Sequence, residues 1–134
     1  MAKPDYIAIL RALAGHRVDF IVVGGVGAVL QGAPIMTFDL DLVHSTDEPN
    51  VERLLAALDS LDTHCRLIDV HTAIGRGRAY ADLIQHTVEL RAADDVVVRV
   101  LDLATLIATK EETAGEKDEA VLPILRQTLR ERER

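Results

Sequence analysis

Apolar positions recur along the chain with two different periods, and the switches between them mark out the elements. Tyr6, Ile7, Leu10 and Leu13 return at helical spacing, which predicts a helix over residues 4–13, with Pro4 suited to its first turn and Gly15 to its stop. Residues 19–23 then read as a short buried strand, because Phe20-Ile21-Val22-Val23 is aromatic or β-branched throughout. Gly24-Gly25 predicts a tight turn into a small helix reaching about Gln31, closed by Gly32-Ala33-Pro34. In residues 37–44 the pattern alternates, Asp39 and Asp41 against Phe38, Leu40 and Leu42, as in a second strand. Residues 48–61 carry the clearest helical stripe, Val51, Leu54, Leu55, Leu58 and Leu61, with Thr46 or Asp47 as its cap.

Further strands are predicted over residues 66–70, 86–90 and 96–101, the last two turning at Ala93-Asp94-Asp95. Helices follow over residues 102–114 and 117–132, separated by Gly115. No internal repeat or long linker divides the 134 residues, so one domain is expected over residues 1–134. Its fold class is α/β (α+β), a single mixed sheet with helices packed on it.

Composition narrows the function. Hydrophobic residues make up 49% and charged ones 28%, a globular balance, while only 3% are aromatic. Few stacking platforms therefore exist for single-stranded nucleic acid. The net charge of −7 opposes binding that depends on phosphate-backbone contacts, and sequence-specific DNA binding is not expected. The single Cys65 excludes an internal disulfide and a thiolate metal cluster. No apolar run is long enough to span a bilayer and no signal peptide is expected, which makes the cytoplasm the expected location.

The chemistry concentrates at Gly24-Gly25 and, after thirteen intervening residues, Asp39-Leu40-Asp41. Alternation puts both carboxylates on one face of a strand, where like charges call for a divalent cation. Mg²⁺ binds through one or two carboxylates together with substrate phosphates. A Gly-Gly turn opening a helix offers backbone N–H groups to an anion. A phosphate grip and a metal grip thus fall on adjacent turns.

This strand–Gly-Gly–helix–(Asp-x-Asp) unit resembles the DNA polymerase β-like nucleotidyltransferase superfamily, most closely the small bacterial minimal nucleotidyltransferases and the transferase-like components of toxin–antitoxin systems. Residues 98–118, with Leu106-Ile107-x-x-Lys110 and Lys117-Asp118, and residues 75–90 share the likeness, which extends over about residues 18–125. The resemblance implies a nucleotidyltransferase-like fold and transfer of a nucleoside monophosphate from an NTP to a hydroxyl on a protein, RNA or small molecule. It implies Mg²⁺ or Mn²⁺ held by Asp39, Asp41 and a third acid, best matched by Asp69, which is a metal ligand or general base. Asp82 and Glu89 are the alternatives for that acid. Gly24, Gly25, Lys110 and Lys117 are implied to hold the nucleotide, with Asp118 as an additional acid.

The chain departs from the pattern where Gly25 replaces the frequent Ser, where Glu116 replaces an Arg, and in the short connection between Leu61 and Asp69. The alternative function is accordingly a catalytically weak or inactive binding module, the antitoxin or regulatory half of a two-protein system. Expected partners are the NTP, a small all-helical protein and a second copy of the chain. His44, His64, His71 and His86 are scattered and show no zinc spacing. His71, two residues from Asp69, reads as an ordinary strand histidine, with a bystander in the site as the other reading; Gly75-Arg76-Gly77-Arg78 reads as a solvated loop and residues 126–134 as a frayed helix end.

Overall fold

The computed structural model describes residues 6–37, 39–61, 68–113 and 115–133, apart from the side chains of Glu116 and Lys117. Helix α1 (Tyr6–Gly15) leads into β1 (Phe20–Val23), α2 (Gly24–Leu30), β2 (Leu40–His44), α3 (Glu48–Asp59) and β3 (Ile68–His71). A small hairpin of β4 (Ala73–Ile74) and β5 (Arg78–Ala79) follows, then α4 (Tyr80–Leu83) and a 3₁₀ turn, Ile84–His86. The chain closes with β6 (Thr87–Ala93), β7 (Val96–Leu101), α5 (Leu103–Glu112) and α6 (Glu116–Arg132).

Five strands form one mixed sheet in the order β3-β2-β1-β7-β6. β1 runs antiparallel to β2 and parallel to β7, β2 and β3 are parallel, and β6 returns antiparallel to β7. The mixed α/β class expected from the pattern is therefore the observed one. Every residue of β1 is buried, because helices cover both of its faces. Phe20 and Val22 pack with Leu40, Leu42, Val98 and Val100 beneath α1 and α3. Ile21 and Val23 pack with Val43 and Leu101 beneath α5 and α6.

One buried polar residue fixes the end of this sheet remote from the Gly24 turn. The Asn50 side chain is fully buried, accepts from the Asp19 N–H at 2.7 Å, and donates to the carbonyls of Asp19 and Ser45 at 3.1 and 2.8 Å. It ties the start of α3 to the entry of β1 and the exit of β2, while Asp47 caps the helix by accepting from the Asn50 N–H.

Four local expectations change. β2 begins at Leu40, so Asp39 stands one residue ahead of the strand rather than within it. Leu55 is 60% exposed, since the buried face of α3 is narrower than the apolar stripe and centres on Asn50, Leu54 and Ala57. Gly75–Arg78 belongs to the β4–β5 hairpin and is not a free loop. The final helix does not fray before Arg132, whose Nη1 donates to the Gln31 carbonyl at 2.7 Å. His64, Cys65 and most of the connection before Asp69 lie outside the described residues.

Candidate functional site

β1 ends at Val23, whose register partner across the antiparallel ladder is Asp41. The next residue, Gly24, turns the chain into α2 with φ of +67°, a left-handed conformation that costs a residue with a Cβ roughly 1–2 kcal/mol. Space also requires glycine here: a Cβ at Gly24 would stand 2.6 Å from Asp41 Oδ2. The turn and the carboxylate are thus packed directly on each other. At Gly25 the place of a side chain is taken by Thr37, whose Oγ1 would be 2.5 Å from a Cβ. That contact gives a physical reason why this chain has no Ser at position 25.

On the other side of β2, Asp41 is in parallel register with Asp69, which places the two carboxylates on the same face of neighbouring strands. Asp69 is exposed, as an edge strand allows. Two residues further along β3, His71 turns its ring toward β2, and its Nε2 lies 3.1 Å from Asp41 Oδ1. Both side chains are partly covered, at 28% exposure for Asp41 and 37% for His71.

A cleft of about 180 Å³ opens over this point, bordered by Gly24, Asp41, His71, Gly75, Lys110 and Asp118. Lys110 enters from the last turn of α5 and donates through Nζ to Asp118 Oδ1 at 3.3 Å. Asp118, at the third position of α6, also lies 3.5 Å from the Gly115 N–H through its other oxygen. The pair is only partly exposed, 23% and 28%, so water screens it less than a surface pair.

The β4–β5 hairpin forms one wall of the cleft through Ile74 and Gly75 and is clamped to α5 by Glu112. Arg78 donates its guanidinium fork to both Glu112 oxygens, and the Arg76 N–H donates to Oε1 at 3.2 Å. These bonds hold the Glu112 carboxyl at about 2, against an ordinary 4.5, with the Arg78 hydrogen bonds the largest cause.

Of the residues singled out from sequence, Gly24, Asp41, Lys110 and Asp118 meet at one cleft. Asp39 is exposed ahead of β2 and does not border the cleft. Lys117 is the second residue of α6, but its side chain is outside those described. The alternative acids belong elsewhere: Asp82 caps α4 by accepting from the Ala79 N–H at 2.9 Å, and Glu89 pairs with Arg99 across β6 and β7. His71 borders the cleft and its ring meets Asp41, and the i, i+2 spacing from Asp69 is the sequence signal that points to it. Nothing in the sequence linked Glu112 to the Gly-Arg-Gly-Arg segment.

No family model and no curated protein matches the chain.

Among the described residues, no three His, Cys, Asp or Glu side chains are gathered into a ready metal centre. The donor chemistry nevertheless fits a divalent cation. One carboxylate and one imidazole face each other at the cleft, and a second carboxylate stands in register on the neighbouring strand.

Proposed function

We propose that this chain transfers a nucleoside monophosphate from an NTP to a hydroxyl acceptor with release of pyrophosphate. One observation carries the reading: the glycine turn after β1, the Asp41 carboxylate and the Lys110 ammonium border a single cleft. Asp41, the carboxylate of the Asp39-Leu40-Asp41 pair that borders the cleft, would hold Mg²⁺ or Mn²⁺. When bound, the cation supplies charge neutralisation across the phosphates and polarises the phosphorus under attack. Lys110 would exchange Asp118 for the triphosphate, a swap of one anionic partner for a more highly charged one. The Gly24 turn lets phosphate oxygens approach the backbone where a side chain would block them. α2 has only seven residues, so the reading places no weight on a helix dipole.

In the transfer, the acceptor oxygen forms a bond to the α-phosphorus and the bond from that phosphorus to the bridging oxygen breaks. The electron pair leaves with pyrophosphate, and the hydroxyl proton passes to a carboxylate, for which Asp69 is the candidate because of its register beside Asp41. Most of the rate gain in such chemistry comes from positioning and electrostatics. The acceptor reaches an open cleft, and a small helical partner protein of a toxin–antitoxin pair is the acceptor class that the family resemblance favours.

Titration of the chain with each of the four NTPs in Mg²⁺ or Mn²⁺, followed by calorimetry, tests the reading. Saturable binding of at least one NTP is expected, lost in Asp41→Asn. Absence of binding for all four in both metals refutes it. A second reading, a nucleotidyltransferase-like binding module that regulates a partner, is favoured by the exposure of Asp39 and Asp69, neither of which borders the cleft. It predicts nucleotide binding without label transfer from an α-labelled NTP to any acceptor.

A further inference from the structure

We propose that His71 contacts the divalent cation directly through Nε2, so that this site pairs a carboxylate with an imidazole instead of relying on carboxylates alone. The inference rests on the metal-dependent reading given above and deepens it. His71 and Asp41 both border the cleft, whereas Asp39 and Asp69 do not. The imidazole nitrogen and the carboxylate oxygen that face each other are 3.1 Å apart. In the metal-free chain that separation is a hydrogen bond. It is also close to the edge of an octahedron with bonds of about 2.1 Å, whose adjacent ligand atoms lie roughly 3.0 Å apart. A cation can therefore replace the shared proton while the two donor atoms keep nearly the same spacing.

Backbone placement agrees with side-chain geometry. His71 lies in register with Val43, two residues along β2 from Asp41, so the ring crosses diagonally to reach the carboxylate. A nitrogen donor changes metal preference. Mg²⁺ favours oxygen ligands throughout, whereas Mn²⁺, which also takes carboxylate and phosphate oxygen, lies on the first-row series whose ions accept imidazole more readily.

Pulsed electron paramagnetic resonance decides the matter. The ¹⁵N-labelled chain is loaded with Mn²⁺ and unlabelled ATP, so that nitrogen coupling from the protein is distinguished from that of the nucleotide. A directly bound ¹⁵N imidazole signal is expected, absent in His71→Gln. Calorimetry should show Mn²⁺–ATP affinity falling at least about 10-fold in that variant, the scale on which metal sites respond to loss of a supporting group. Mg²⁺–ATP affinity should change by less than about 3-fold, since imidazole is a poor ligand for that ion. Bound Mn²⁺ without ¹⁵N coupling, or coupling that survives in His71→Gln, overturns the assignment while leaving the transferase reading standing. Absence of bound Mn²⁺ with ATP and with each of the other three NTPs overturns the assignment, and the transferase reading falls with it when Mg²⁺ with all four NTPs also fails to bind. The measurement on the parent chain suffices even if His71→Gln fails to fold.

Discussion

Replacing Gly24 by Ala separates two demands that the turn places on one residue. The first is conformational: at φ of +67° an L-residue is strained by about 1–2 kcal/mol. The second is steric, because the new methyl would stand 2.6 Å from Asp41 Oδ2. An ordinary contact needs roughly 3.5 Å, so the carboxylate must retreat by about 1 Å. A displacement of that size at a reacting or metal-binding group can cost on the order of 100-fold. Gly32→Ala supplies the control. Its φ is +98°, yet nothing lies within 4 Å of a Cβ there, so it carries backbone strain without touching the cleft. Urea denaturation should show both variants destabilised by at least about 1 kcal/mol. Calorimetry with Mn²⁺ and an NTP should show weakened binding in Gly24→Ala only. Equal binding by both variants would refute the placement of Asp41 in the site. A Gly24→Ala chain as stable as the parent would refute the left-handed turn.

Asn50→Ala should cost about 1–3 kcal/mol in urea denaturation, because it strips partners from the Asp19 and Ser45 backbone groups; no loss would mean that the link between α3 and the sheet is idle. The Glu112 carboxyl, held at about 2 when folded against an ordinary 4.5, contributes stability that is full above 4.5 and disappears as pH falls toward 2. Denaturation midpoints should therefore drop less steeply across that window in Glu112→Gln than in the parent, and identical slopes would argue against the Arg78 clamp. Lys110→Gln should weaken NTP affinity roughly 10- to 100-fold, the worth of a charged hydrogen bond, while leaving Mn²⁺ affinity without nucleotide unchanged. A matching loss of both would place Lys110 in a purely structural role with Asp118.

The parts of the fold that could be read from sequence are those whose signal is local. Phe20-Ile21-Val22-Val23 announces a strand buried on both faces, and it is one. Asp47 caps α3 three residues ahead of the N–H that it accepts. The Gly24 turn and Asp41 were likewise legible as a pair, because the strand–turn–strand distance is short enough to fold in only a few ways. Contacts between remote positions were not. Glu112 lies 34 residues from Arg78, and the two-residue strands of the hairpin are too short to show any period. His71 lies 30 residues from Asp41, and only the register of β2 on β3 brings them together. Asn50 had no signal at all: an amide in the first turn of an amphipathic helix reads as solvent-facing until the sheet end that it bridges is known.

The edge position of β3 has a kinetic consequence. This strand is four residues long and meets the sheet through β2 alone, whereas β1 is flanked on both sides. Local opening is least costly where few buried contacts must be broken, so the β3 amides are expected to exchange their hydrogens at lower free energy than those of β1. Each opening of β3 would carry Asp69 and His71 away while Asp41 stays with the core. A ligand that joins Asp41 to His71 would then slow exchange along β3 without changing that of β1. Under this scheme, the affinity of the site is set partly by how often its outer strand is closed.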